Sequence, residues 1–422
     1  MEYINRNRLF LASCTALVVT SMTFAIRAGM INPLGVQFGL SNEELGWIAS
    51  MAFLGFPIAV VIGGLVVDII GMGRLMVVAF IAHLAGILLT IFASDFWTLL
   101  ISTLLIGLAN GTVEAACNPL VATLYPENKT TKLNHFHVWF PGGIVIGGLI
   151  VYFMNQAGLN WQWQMATMFL PLLAYGYLFW GQRFPVTERV AVGVSTAEMY
   201  SAVVSPLFLF MVLCMFGTAI TELGTNQWID VLLKKVTDSP ILILVLVSGI
   251  MALGRGLAEP VVHRFSPPGV LLASAILAAL GLYAMSLADG VTIFAAAAVF
   301  ALGVTYFWPT MLGFVSEYIH KSGAVGLAVI GAAGMFATFI FQPVIGAVYD
   351  AALVQALPAG AELATYKAAV AGSTEAAAYA DAQVLAGPSI LRRMAFIPVA
   401  LTVAFGVLFF MRKKLEHRRS RA

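Results

Sequence analysis

The chain has 422 residues, of which 60% are hydrophobic and only 10% charged, with a formal net charge of +2. A soluble domain carries roughly 25% charged residues, so this surface is not built to face water, and a near-neutral chain without a clustered basic face argues against nucleic acid as a partner. Cys14, Cys117 and Cys214 lie inside apolar runs without metal-ligand spacing, which argues against a disulfide framework, a metal site or any cofactor held by thiolates.

A bilayer span needs roughly 20 mostly apolar residues. In chain order, breaks at charged, Pro and Gly-rich points predict twelve spans, at 8–37, 45–69, 73–93, 96–125, 134–155, 163–183, 204–233, 239–263, 268–287, 291–318, 322–350 and 389–412. The first run is long and continues into a second, so it reads as a retained span rather than a signal peptide. The expected fold is an all-α membrane protein with twelve transmembrane helices in two pseudo-symmetric six-helix bundles. Residues 1–183 form the first bundle, 184–203 a central cytoplasmic loop, and 204–422 the second bundle. Within the second, the Ala-rich stretch 351–388, with Glu362, Lys367, Glu375 and Asp381, reads as a periplasmic loop with some helix.

Lysines and arginines orient the spans. With both termini cytoplasmic, Arg6, Arg8, Arg74, Lys129, Lys132, Arg183, Arg189, Arg264, Lys321 and the six from Arg412 to Arg421 lie inside. Lys234, Lys235, Lys367, Arg392 and Arg393 lie outside. Fifteen against five satisfies the positive-inside rule, and the inverse topology violates it. The expected setting is a bacterial inner membrane, crossed many times. Gly64, Arg74 and Pro119 recur as Gly254, Arg264 and Pro309, each 190 residues later. Two similar halves about a midplane site are what a rocking carrier needs.

A charged side chain at the bilayer centre costs about 2.5–3.5 kcal/mol on insertion scales, so it faces a cavity or a partner. Arg27, Glu114, Glu222 and Arg255 fall near the middle of predicted spans. Glu114 shares a helix with Asn110 and Asn118, and Glu222 is followed by Asn226, Gln227 and Trp228. Carboxylates and amides hydrogen-bond hydroxyls, and aromatic faces cover the apolar side of a sugar ring, so the mix fits a polyhydroxylated ligand. A carboxylate in a cavity that alternates between wet and dry exchanges protons, which makes protons the expected partner of the solute, through Glu114 or Glu222. A structural ion pair for Glu114 and Glu222, and a structural clamp for Arg27, are the competing readings. Arg255 stands four residues before Glu259, the spacing of an intrahelical pair. His83 reads as a packing residue, and His135 and His137 as ligand contacts or interface anchors.

The run Gly64-Leu-Val-Val-Asp68-Ile-Ile-Gly71-Met-Gly-Arg74 resembles the loop signature of the major facilitator superfamily. Small residues let two helices approach, and Asp68 and Arg74 would form a cytoplasmic latch that breaks as the halves rock. The second copy keeps Gly254 and Arg264 but has Ala258 in place of the aspartate. Four further stretches are similar to the fucose-galactose-glucose:proton symporter family. They are Glu114-Ala-Ala-Cys-Asn118-Pro119 with Leu133-Asn134; Gly217 to Trp228; Gly254-Arg255; and Trp308-Pro309-Thr310 with Gly331, Gly334, Pro343, Gly346 and Asp350. That resemblance implies that Glu114 is the proton-linked carboxylate and that Glu222, Asn118 and Asn134 lie in or near the cavity. The candidate binding residues are thus Arg27, Asn110, Asn118, Asn134, His137, Glu222, Asn226, Gln227 and Trp308.

Those symporters carry an acidic residue in the first helix. Here Arg8 to Leu40 contains no carboxylate, and Arg27 falls near that place. An arginine there pairs with Glu114 or recognises a carboxylate or phosphate on the ligand bidentately. The leading reading is secondary active, proton-coupled transport of a sugar or sugar derivative by alternating access. The alternative is a carrier for an organic anion such as a sugar acid, recognised through Arg27. An enzyme is not expected, because HExxH, nucleophile-elbow and paired-aspartate patterns are missing. One twelve-span chain holds a complete site, so a monomer is the default.

Overall fold

Five spans that read as single apolar runs are each built from two helical pieces. The computed structural model describes residues 4–125, 129–185, 201–234, 236–257 and 265–412, and no strand occurs among them. The first half comprises α1 (Arg6–Phe38), α2 (Asn42–Ile70), α3 (Met72–Ile91), α4 (Phe96–Leu124), α5 (Lys129–His137), α6 (Trp139–Gln156), α7 (Trp161–Ala166) and α8 (Phe169–Phe179). The second comprises α9 (Pro206–Ala219), a π-helical turn at Ile220–Gly224, α10 (Thr225–Leu232), α11 (Ile241–Gly256), α12 (Pro267–Met285), α13 (Thr292–Val304) and α14 (Phe307–Tyr318). It continues with α15 (Gly323–Ala356), α16 (Leu363–Lys367), α17 (Thr374–Met394) and α18 (Phe396–Phe410). Counting α5–α6, α7–α8, α9–α10, α13–α14 and α17–α18 as one span each, the spans among the described residues number twelve.

Prolines explain four of the five interruptions. Pro141, Pro171, Pro309 and Pro398 follow the breaks before α6, α8, α14 and α18 by three or four residues. A proline has no N–H to offer the carbonyl four residues back, so the ladder opens there. Pro33, Pro57, Pro119, Pro343 and Pro388 lie inside unbroken helices, so proline alone does not decide the matter. The stretch 351–388 is helical over more of its length than expected. α15 runs to Ala356, and α17 starts at Thr374 behind a Ser373 cap whose hydroxyl accepts from the Ala376 N–H. Alanine is the best helix former, and an Ala-rich, weakly charged stretch follows it.

Other helix ends are set by the same local chemistry. Gly39, at φ 64°, closes α1 in the left-handed region, and Ser41 with Glu44 forms a reciprocal capping box at the start of α2. Asp95 caps α4.

The chain divides into two units, Met1–Ala191 with Gln342–Asp350, and Val192–Phe341 with Ala351–Ala422. In the first, α4 packs on α2 and α3, and α1 on α6. A side chain on Gly107 of α4 would come within 2.6 Å of the Ala52 carbonyl oxygen, so these backbones are in direct contact. In the second, α12 packs on α13 and α18. Close approach through small residues is how helices associate in lipid, where the hydrophobic effect does not distinguish one apolar neighbour from another. Ile69, Leu170, Leu253, Phe396 and Phe410 are exposed on these helices. Helices of this length and apolarity with such outer faces make a multi-pass membrane protein.

Candidate functional site

Asn110, Glu114 and Asn118 succeed one another at four-residue spacing along α4 and therefore share one face. Asn118 Nδ2 donates to Glu114 Oε2 at 2.6 Å, and His137 Nε2 lies 3.0 Å from Asn118 Oδ1. Because the amide nitrogen serves Glu114, the amide oxygen is left to accept from the histidine N–H. His137 is the last residue of α5, at the break that Pro141 imposes. Three residues singled out in the sequence thus form one line, carboxylate to amide to imidazole.

Asn110 belongs to a different network. Its Nδ2 donates to Thr23 Oγ1 at 3.1 Å, and its Oδ1 lies 2.8 Å from His83 Nε2. His83 Nδ1 lies 3.1 Å from the Tyr175 hydroxyl. With the amide oxygen accepting from Nε2–H, Nδ1 accepts from the phenol, and both ends of Asn110 are committed within the protein. Asn110 and His83 are fully buried, so this network ties α1, α3, α4 and α8 together rather than presenting groups to a ligand.

Arg27 is 8% exposed, with its guanidinium 5.0 Å from the Phe24 ring centre and 5.4 Å from that of Phe53. The cavity it lines, with Thr23, Met30, Thr103 and Met165 among its neighbours, has a volume of about 30 Å³. A water needs roughly 10–15 Å³ measured in this way, so the space admits water and not a sugar acid. Arg74 is exposed. The side chains of Asp68 and Asn134, and residues Arg189, Ala258, Glu259 and Arg264, lie outside the described residues.

In the second unit, Glu222 sits in the π-helical turn between α9 and α10. Such turns widen the helix by one residue and recur at functional sites. Arg255, in the last turn of α11, donates through Nη2 to Glu222 Oε1 at 3.2 Å and through Nε to the Thr305 carbonyl at 3.1 Å. Among the described residues its acidic partner is Glu222; the Glu259 that the four-residue spacing pointed to lies outside them. Glu222 is 4% exposed, and among the described residues its Oε2 has no hydrogen-bond partner; nor do Thr225 Oγ1 and Asn226 Oδ1, both buried in the next turn. Gln227 and Trp228 are buried beside them. Trp308 is half-buried, and its ring packs against α15 at Gly334, where a side chain would crowd it.

Thr225 and Thr305 were not visible as site residues in the sequence. For Thr305 a signal existed: Pro309 stands four residues on and cannot supply the helical N–H, so the carbonyl needs another donor. Nothing in the sequence marked Thr225.

The profile of the Major Facilitator Superfamily matches residues 10–342. Among curated relatives, a D-xylose transporter of Levilactobacillus brevis is 28% identical over 145 residues, 34% of this chain and 32% of the relative. The mouse solute carrier family 2 facilitated glucose transporter member 10 is 29% identical over 166 residues, 38% of this chain and 30% of the relative. The chain thus spans about a third of the length of the curated relatives it matches. Among solved structures, an inward-facing bacterial homologue of the human lysosomal transporter Spinster aligns with a TM-score of 0.78 at 14% identity, covering 98% of each chain. A D-xylose-proton symporter aligns at 0.67 and 15% identity, covering 91% of this chain and 96% of that one. At such identities the structures speak to the fold, and the profile, which spans most of the sequence, speaks to the family. The chain belongs to the Major Facilitator Superfamily.

Proposed function

We propose that the protein is a secondary carrier for a neutral, hydroxyl-rich solute of the sugar type, working by alternating access and coupled to protons through Glu114. The observation that carries this reading is the set of buried acceptors without partners among the described residues, Glu222 Oε2, Thr225 Oγ1 and Asn226 Oδ1, on consecutive turns of one span. A buried polar atom left unpaired costs about 1–3 kcal/mol, more when charged. A ligand that brings several hydroxyl donors repays this, and an anion set against the Glu222 carboxylate does not. The relatives' names, transporters of D-xylose and glucose, point to the same class of ligand. The line Glu114–Asn118–His137 supports the proton role, since it joins a carboxylate to an imidazole through one amide. The excess of lysines and arginines supports an inner-membrane setting with both termini in the cytoplasm.

A thermal-shift screen of the purified protein against aldoses, polyols and sugar acids tests the solute class. A ligand at a hundredfold excess over its dissociation constant stabilises the fold by about 2.7 kcal/mol. Neutral sugars are expected to raise the melting temperature of the native chain and not of Glu222→Gln. Hits confined to carboxylates would overturn the reading.

A further inference from the structure

Span 10 is interrupted at Thr305 and Tyr306, and two interactions from α11 occupy the interruption. Pro309 has no N–H, so the Thr305 carbonyl loses its helical donor, and Arg255 Nε takes that place at 3.1 Å. In return the Tyr306 hydroxyl donates to the Gly254 carbonyl at 3.0 Å, an oxygen that also accepts the Leu257 N–H at 3.1 Å at the end of α11. The same guanidinium that holds the break also holds Glu222 Oε1 through Nη2 at 3.2 Å. One planar group therefore joins the carboxylate in the π-helical turn of span 7 to the broken backbone of span 10. A lysine, with a compact ammonium, lacks the fork that reaches two acceptors in fixed directions.

We propose that Arg255 is a positioning residue that converts the charge on Glu222 into the stiffness of the break in span 10. It rests on the reading of Glu222 as a ligand-facing carboxylate. With Glu222 charged and unoccupied, the guanidinium has its counter-charge in place and grips the Thr305 carbonyl. When a proton takes up the carboxylate at Oε2, Glu222 becomes neutral and the cation loses its counter-charge, whereas a solute hydroxyl on Oε2 leaves the pair in place. An uncompensated charge in a buried site is costly, and the Arg255 side chain, 20% exposed, has a path to solvent. Its departure frees the Thr305 carbonyl, and the two pieces of span 10 hinge. The arrangement also fixes specificity, because Arg255 occupies Oε1 and leaves Oε2 as the oxygen that a donor must meet.

Hydrogen exchange by mass spectrometry, on the purified full chain without added solute, reads this directly in the peptide from Thr305 to Gly313. Glu222→Gln removes the charge with little change of shape. It should accelerate exchange in that peptide by about tenfold, the factor carried by one hydrogen bond to a charged group. In an Arg255→Lys background exchange should already be fast, and adding Glu222→Gln should change it no further. Pro309→Ala restores the missing N–H, so exchange should be slow with either residue at 222; this variant strengthens the helix and serves where Arg255→Lys folds poorly. Equal exchange in the native chain and Glu222→Gln would overturn the proposal, as would an acceleration that persists undiminished in Arg255→Lys. The readout needs no solute, so a ligand screen without sugar hits would defeat the carrier reading and leave this result standing.

Discussion

Asn118 stands one turn beyond Glu114 on α4 and donates to its carboxylate at 2.6 Å, so the amide both orients Glu114 and links it to His137. If Glu114 is the residue that carries the proton, its charge matters for accumulation but not for exchange of solute across the membrane. Glu114→Gln should keep counterflow of a sugar at near-native rate in proteoliposomes and lose uphill accumulation under an imposed pH gradient. Asn118→Leu should reduce both, because it removes the donor that fixes the carboxylate. Retained accumulation in Glu114→Gln would show that the proton travels elsewhere.

The ion pair of Glu222 with Arg255 makes an asymmetric prediction about stability. Removing one partner leaves the other as a buried charge, and such deletions cost about 3–5 kcal/mol, whereas replacing both by apolar groups of similar size is often neutral. Arg255 is 20% exposed, which places the cost toward or below the lower end of that range. Glu222→Ala should therefore melt well below the native protein in detergent, and Glu222→Leu with Arg255→Met should recover most of the loss. A double variant no better than the single one would mean that Arg255 contributes through Thr305 and not through Glu222.

Much of this architecture could be read from the chain, because the bilayer imposes its rules on every span. Span positions followed from apolar runs, and Glu114 and Glu222 declared themselves by standing inside them. Two kinds of feature stayed hidden. The interruptions did, because Pro141, Pro171, Pro309 and Pro398 break their helices while Pro33, Pro57 and Pro119 do not, and only tertiary neighbours decide which carbonyl finds a substitute donor. Partners distant in sequence were the other. Local spacing pointed only to Glu259 for Arg255, and nothing in it announced the contact with Glu222, 33 residues away. Asn110 looked equivalent to Asn118 by its position on α4, and only His83 and Thr23, from two other helices, reveal that its amide is spent.

Asp95 supplies a pH dependence outside the spans. Its carboxylate accepts from the Thr98 backbone N–H and the Thr98 hydroxyl, each at 2.8 Å, and these bonds, the backbone one foremost, hold its pKa below the ordinary value. A carboxyl whose folded pKa is depressed stabilises the fold fully above its unfolded value, about 3.9, and that contribution is lost as pH falls through the lower folded value. Asp95→Asn keeps a good capping side chain without the titration. Melting temperatures of native and Asp95→Asn protein should therefore differ at pH 6 and converge as pH falls toward 3. Parallel curves would assign the cap no part in acid sensitivity.

Arg27 is the residue on which the neutral-sugar and organic-anion readings part. Its guanidinium is packed near the rings of Phe24 and Phe53 and lines a space of about 30 Å³, which suits a clamp between α1 and α2 better than a ligand contact. Desolvated cation–π contacts are worth about 2 kcal/mol, so Arg27→Gln should lower the melting temperature while leaving the apparent affinity for a neutral sugar near native. Arg27→Lys should restore stability only in part, since an ammonium cannot lay a plane against two rings. The two readings separate on which quantity moves. A clamp loses stability and keeps affinity; a ligand contact keeps stability and loses affinity, and for carboxylate ligands alone. The second pattern in Arg27→Gln would restore the organic-anion reading and place the ligand at α1.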